Sequence, residues 1–254
     1  MPRRSVIPYL VLSSLLGCAH PQREQSAVVP GLALDLHPEA GPDTIVFQRS
    51  VTRAGQDSTT GTRTVVLQVV RSAGDARLLQ VEQRFPGGGG EIVDTAVAEL
   101  PTLAAVAHRS HQPTRIMRFT FAGGDAHGTV VSLRPAGDSV AAVQQALGGR
   151  IFDSNVIDLV VASLPLRPGF TAQLPFFIYE RGGRVMMPVT VRERATVAFA
   201  RLGPRDVWVV SVGVPGAPAT VWVDTRTHAV LRVRYDIAAR SLSFTDERVT
   251  PLRG

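Results

Sequence analysis

The 254-residue sequence has no lysine: its 27 lysine-or-arginine positions are all arginine, set against 21 acidic residues for a formal net charge of +6. These arginines are spread from Arg3 to Arg253 and do not cluster with aromatics, which argues against a nucleic-acid surface. Aromatic residues make up only 6% of the chain, too few to furnish the two interfacial girdles of an outer-membrane barrel. No stretch after residue 17 reaches 18 consecutive apolar residues, so that part holds no membrane-spanning helix. The six histidines (His20, His37, His108, His111, His127 and His228) form no His-Glu-x-x-His motif. His108 and His111, three apart on a presumed strand, point to opposite faces. With a single cysteine in the chain, zinc is not indicated. There is no Gly-x-Ser-x-Gly turn, and the glycine run at 87–90 is followed by Glu91-Ile92, where a phosphate loop wants Lys-Ser or Lys-Thr. The sequence therefore points to no cofactor, metal or catalytic group.

The one cysteine, Cys18, stands directly after an export-signal pattern: Arg3-Arg4, an apolar stretch from Val6 to Leu16, then Gly17. Leu15-Leu16-Gly17-Cys18 resembles the bacterial lipobox, in which the cysteine sulfur receives a diacylglyceryl group and the signal is cut off in front of it. The resemblance implies a signal over 1–17, a lipidated terminus with a flexible tether over 18–29, and a single β-rich domain over 30–254. Each buried methylene contributes about 0.8 kcal/mol, so two or three acyl chains hold the protein at a membrane without a further hydrophobic segment. Removing Arg3 and Arg4 with the signal lowers the net charge from +6 to +4. Ala19 is not the aspartate that favours inner-membrane retention in familiar lipoproteins, which makes the expected address the outer membrane, facing the periplasm.

Most of the remaining chain alternates β-branched and polar residues between turn signals. "DTIVFQRSVTRAG", "GTRTVVLQVVRSA" and "ARLLQVEQRF" read as strands, the last two joined through Ala73-Gly74-Asp75. Pro86 and the glycines interrupt the pattern, which resumes through "EIVDTAVAEL", "LAAVAHRSH", "RIMRFTFAG" and "HGTVVSLRP". "SVAAVQQAL" (139–147) suits either a helix or the return arm of a hairpin. The clearest helix is 153–164, with Asp153 or Ser154 able to cap its first turn and Pro165 discouraging its continuation. Its Val156, Leu159, Val160 and Leu164 share a face, while Asp153 and Asp158, five apart, do not, so no paired-carboxylate site is read there. About a dozen antiparallel strands and one helix predict a mainly β fold: a half-open antiparallel barrel or strongly curved sheet with one or two covering helices.

Two segments carry a family resemblance. Ile151-Phe152-Asp153-Ser154-Asn155 through Leu164-Pro165-Leu166-Arg167-Pro168-Gly169-Phe170 resembles an uncharacterised bacterial envelope family of the domain-of-unknown-function type. Trp222-Val223-Asp224, Thr227 and Leu231-Arg232 resemble a hairpin shared by that family and by the outer-membrane lipoprotein carriers LolA and LolB. The resemblance implies an apolar concave interior that in the carriers accommodates acyl chains, with no cofactor. Phe119, Phe121, Phe176 and Trp222 are then candidates to line that pocket or to fill it. The expected partners are the membrane, through the anchor, and a lipid or lipoprotein ligand; the alternative is an anchored, non-catalytic scaffold. Cys18→Ser removes the acylated sulfur, so the variant loses label from radioactive palmitate and leaves the membrane fraction for the soluble one.

Overall fold

The structure is a computed structural model and describes residues 26–27, 34, 42–87, 89–179, 183–213 and 216–252. Cys18, His20 and His37 lie outside the described residues. Among the described residues, sixteen strands form one sheet. They are β1 (Ser26–Ala27), β2 (Asp43–Arg53), β3 (Gln56–Arg71), β4 (Arg77–Gly87), β5 (Gly90–Glu99), β6 (Ala105–Gln112), β7 (Arg115–Ala122) and β8 (Asp125–Ser132), then β9 (Ser139–Ala146) and β10 (Phe152–Asp153). The helix α1 (Ile157–Ala162) follows, then β11 (Thr171–Ile178), β12 (Gly183–Phe199), β13 (Gly203–Val212), β14 (Ala219–Asp224), β15 (Val230–Ile237) and β16 (Leu242–Arg248).

Strand order is β1-β11-β12-β13-β14-β15-β16-β2-β3-β4-β5-β6-β7-β8-β9, and β10 pairs with β11 beside β1. The first long strand, β2, is joined to the last, β16, and each hairpin adds outward from that seam. The sheet does not close, so the expected open, curved architecture holds, with more strands than the dozen expected. Two short strands also break the antiparallel rule, since β1 and β10 both run parallel to β11.

Local chemistry accounts for the elements. In β4 the burial alternates through Leu79, Val81 and Gln83 to one side, with Gln80 and Glu82 on the other, the period-2 pattern of a half-buried strand. Pro86 and the glycines do not interrupt it: Pro86 pairs with Glu91 and Gly87 with Gly90, so the run makes a tight hairpin. Residues 139–146 are the return arm of a hairpin, strand β9, as its exposure on both faces allows. The expected helix is present and shorter than its sequence signature. Asp153 caps a 3-10 turn over Ser154–Val156, accepting from the Asn155 amide at 2.8 Å, and only Ile157–Ala162 is α-helical.

The main core lies on the concave face, where Val156, Val160, Val161 and Leu164 from the helical segment meet Leu67, Leu79, Leu174 and Val221 from the strands. The helical segment is thus buried within the curve of the sheet. A second cluster, around Phe119, Met117, Val130 and Phe177, continues the concave face at β7 and β8. A third, of Phe199, Val207, Ala229 and Leu231 with Trp222 packed against it, covers the opposite face of β13–β15.

One glycine is required by this packing. Gly128 sits opposite Phe119, and a Cβ there would collide with the Arg118 carbonyl oxygen and come within 2.6 Å of the Phe119 ring. Gly128→Ala forces that contact apart and destabilises the fold by about 1–3 kcal/mol, the usual cost of overpacking. Urea denaturation checks it: a lower midpoint at unchanged slope.

Candidate functional site

Polar residues occupy inward positions on four neighbouring strands. Register places Val65 opposite Gln83, Gln83 opposite Asp94, Asp94 opposite Ser110, and Ser110 opposite Met117, one row across the concave face. The next row runs Val81, Ala96, His108, Phe119. Segment 152–158 lies over these rows and supplies their partners. Asp153, fully buried, accepts from Asn155 with one oxygen and faces His108 Nδ1 at 2.9 Å with the other. Gln83 donates from Nε2 to the Asn155 carbonyl at 2.6 Å.

Arg63, on β3, sends its guanidinium inward with only 3% of the residue exposed. Nη2 donates to Asp158 Oδ2 at 2.6 Å, Nε to Gln83 Oε1 at 3.1 Å, and Nη1 to Asp246 Oδ2 at 3.5 Å. Asp246 is also held by Arg49 through two parallel bonds of 2.7 Å. The result is a buried chain of alternating charge, Arg49–Asp246–Arg63–Asp158, reaching from the β16–β2 seam to α1. Arg63 also lies over the Phe47 ring at 5.2 Å. Burial alone would lower its pKa; attraction from Asp158, and less so from Asp246, outweighs that, and the guanidinium is held charged.

Three hollows follow the segment. The first is an apolar crevice of about 30 Å³ between α1 and β2–β4, walled by Ile45, Val65, Leu67, Val81, Leu159 and Ala162, with the Arg63–Asp158 pair at one end. The second, about 190 Å³, lies beyond that pair between Arg49, Phe85, Asp94 and Tyr235. The third, about 100 Å³, is bounded by Asp94, Ser110, Phe119, Phe177 and Tyr179. Asn155 borders all three.

The sequence matches the family described as protein of unknown function, DUF3108, over residues 46–245. The chain belongs to the DUF3108 family. Among solved structures it is similar to a β-barrel-like protein of the domain of unknown function DUF1849 from Brucella abortus, with a TM-score of 0.50 at 11% identity. That superposition covers 87% of this chain and 100% of the Brucella protein. At this identity the likeness concerns the fold alone. A DUF1329 family protein from Desulfovibrio piger aligns over 82% of this chain and 84% of its own, at 11% identity and a TM-score of 0.27. No curated protein matches the sequence.

The fold of this DUF3108 chain separates the four candidate aromatics. Phe119 and Phe121 both meet Phe177 edge-on, with ring centroids 5.1 and 5.0 Å apart. Phe176 is fully buried in the main core against Phe152. Trp222 belongs to the cluster on the opposite face, so it does not share a pocket with the other three. Its hairpin motif is structural: Asp224 Oδ1 accepts from the Arg226 and Thr227 amides to close the turn, and Arg232 lies over the Phe199 and Trp222 rings while donating to Glu247. Asp153 and Asp158 do not come together, since each has its own basic partner. His228 Nδ1 meets the Ala162 carbonyl at 3.1 Å, at the end of α1.

Arg63, Gln83, Asp94 and Ser110 escaped the reading of the sequence, yet each bears a visible signal. Arg63 has the parity of Val65 and Leu67, and Asp94 that of Ala96 and Ala98, which puts a polar group at a core position. Arg63→Met leaves Asp158 buried without its partner and costs about 3–5 kcal/mol, whereas Arg63→Met with Asp158→Leu returns to wild-type stability or above. Chemical denaturation of the two variants checks this difference.

Proposed function

We propose that this protein is a membrane-anchored bacterial lipoprotein whose β-rich domain holds an apolar ligand, a lipid or the acyl chain of a lipoprotein, on its concave face. The observation that carries the reading is the crevice between α1 and β2–β4, where Ile45, Val65, Leu67, Val81, Leu159 and Ala162 form an aliphatic wall beside a buried ion pair. Apolar walls reward an acyl chain at roughly 25 cal/mol per Å² of surface removed from water. With about 30 Å³ free, the crevice admits a chain as the Leu159 side chain turns aside, α1 itself being held by the Arg63–Asp158 pair. The lipobox-like sequence at Cys18 supports the anchor, and the resemblance of the Trp222–Arg232 hairpin to that of LolA and LolB supports the class of ligand. Acting at the periplasmic face of the outer membrane, such a domain shields hydrocarbon from water.

One observation favours a second reading, an anchored scaffold without a ligand. Among the described residues β9 pairs only with β8, and its sequence from Ser139 to Ala146 carries no charge and no proline, the usual guards of an edge strand. A partner strand could add to it by main-chain hydrogen bonds.

Native mass spectrometry of the full chain, purified gently from a bacterial envelope, separates the two. The apolar-ligand reading expects an added mass that leaves as lipid on denaturation. It also expects Leu159→Trp, which fills the crevice from the half-buried side of α1, to weaken binding of a fluorescent fatty acid by about tenfold or more. An unliganded mass that persists after incubation with envelope lipids sinks this reading in favour of the edge strand.

A further inference from the structure

The third hollow, away from the aliphatic crevice, has a chemistry of its own. Asp94 Oδ1 is buried and has no hydrogen-bond partner, and the same is true of Asn155 Nδ2. Both residues border this hollow, and both also border the second, next to it. A buried polar atom without a partner ordinarily costs the full desolvation of that atom, so two of them on residues that border one space point to a missing complement. The two want opposite things: the carboxylate oxygen needs a donor or a positive charge, and the amide nitrogen needs an acceptor.

The neighbouring charges do not satisfy Asp94. Arg49 and Arg63 are committed to Asp246 and Asp158, and His108 is turned to Asp153. Arg115 donates to Gln112 and attracts Asp94 less than His108 does. Burial therefore pushes the Asp94 carboxyl above its usual range, with hydrogen bonding from Ser110 opposing the rise. Of the remaining walls one side is aromatic, and His108, Ser110, Gln112 and Ser154 supply the rest. Phe119 meets Phe177 edge-on at 5.1 Å and Tyr179 at 5.5 Å, and Met117 completes that side. Three rings beside a single carboxylate suit neither a bare metal ion, which wants several oxygens, nor an anion. They suit an alkylammonium, whose diffuse charge is attracted by ring faces and whose methyl or methylene groups fill apolar space.

We propose that the hollow bounded by Asp94, Asn155, Phe119, Phe177 and Tyr179 is a binding site for a small organic ammonium group carrying an oxygen acceptor a few bonds away. Asp94 Oδ1 meets the positive nitrogen, the rings enclose its substituents, and Asn155 Nδ2 donates to the oxygen. At about 100 Å³ the hollow holds a head group of this kind and excludes anything much larger. The site does not depend on what the aliphatic crevice holds.

Titration calorimetry of the full-length protein tests it, with choline chloride and ethanolamine hydrochloride as probes and 3,3-dimethylbutan-1-ol as the uncharged isostere of choline. Saturable one-site binding of choline or ethanolamine is expected, with the isostere weaker by about tenfold or more. Asp94→Asn removes the buried charge with little change of shape, so it melts no lower than the wild type while losing at least about tenfold in affinity. Tyr179→Leu, at a half-buried position, weakens binding several-fold and reads the aromatic wall independently. Absence of saturable binding by both cations overturns the proposal, as does equal affinity for the isostere or undiminished binding by Asp94→Asn. A null result with the fatty-acid probe alongside binding of choline would leave this site standing and the crevice reading fallen.

Discussion

Arg63 carries a full charge into the concave face of the sheet, and the way that charge is met fixes the rest of the interior. A guanidinium with 3% of its surface exposed cannot be left without acceptors. Its Asp246 partner is already placed by the β16–β2 seam, and its Asp158 partner has to be brought in by the helical segment. The ion pair thus sets the position of α1 along the lumen, because Asp158 reaches Nη2 at 2.6 Å only when the segment lies across β3 and β4. Hydrophobic burial supplies most of the driving force, since Val156, Val160, Val161 and Leu164 have nowhere else to go. That burial is indifferent to a slide of a few ångströms, and the buried hydrogen bonds are not.

An unclosed sheet makes this positioning necessary. A barrel fills its lumen with side chains from all of its strands, whereas a sheet that stops at β9 on one side and β11 on the other leaves its concave face short of cover. The chain supplies that cover between the two ends: residues 147–170 leave β9, cross the lumen and return as β11. On the way, β10 pairs parallel to β11 at Phe152 and Asp153, so the start of the covering segment is stitched to the sheet edge before the helix begins. Asp153 then serves three neighbours at once, in the β10 ladder, at the cap of the turn and at His108. One aspartate here couples the sheet edge, the helix start and the floor of the cleft.

Strand alternation and turn residues made the fold class readable from the chain alone, and the capping aspartate followed by an apolar run announced the helix. The register across strands was not readable. Parity within β4 places Gln83 inward and parity within β5 does the same for Asp94, but only the pairing shows that the two are directly opposite and that Ser110 follows. The family resemblance also made Trp222 a candidate to line or fill the concave interior. The alternation of β14, with Val221 and Val223 in the main core, assigns it to the other face. For the glycine run, composition suggested a break where the hairpin needed only its turn.

These placements divide the family motifs by purpose. Trp222, Asp224, Thr227 and Arg232 are spent on a turn and a cation–π stack at the outer face, and nothing in that arrangement faces a hollow. Asp153 and Asn155, from the other motif, lie where the covering segment crosses the polar row. A motif that recurs for architectural reasons reports the fold, while the chemistry of a particular chain resides in polar residues standing where the alternation calls for an aliphatic one. Arg63 and Asp94 are of that kind, and they differ in a way that matters. Arg63 is satisfied within the protein and so stabilises one arrangement of the lumen, whereas Asp94 keeps an oxygen that the protein itself does not satisfy. Charge in the first position belongs to folding, and charge in the second is left for the proposed ligand to meet.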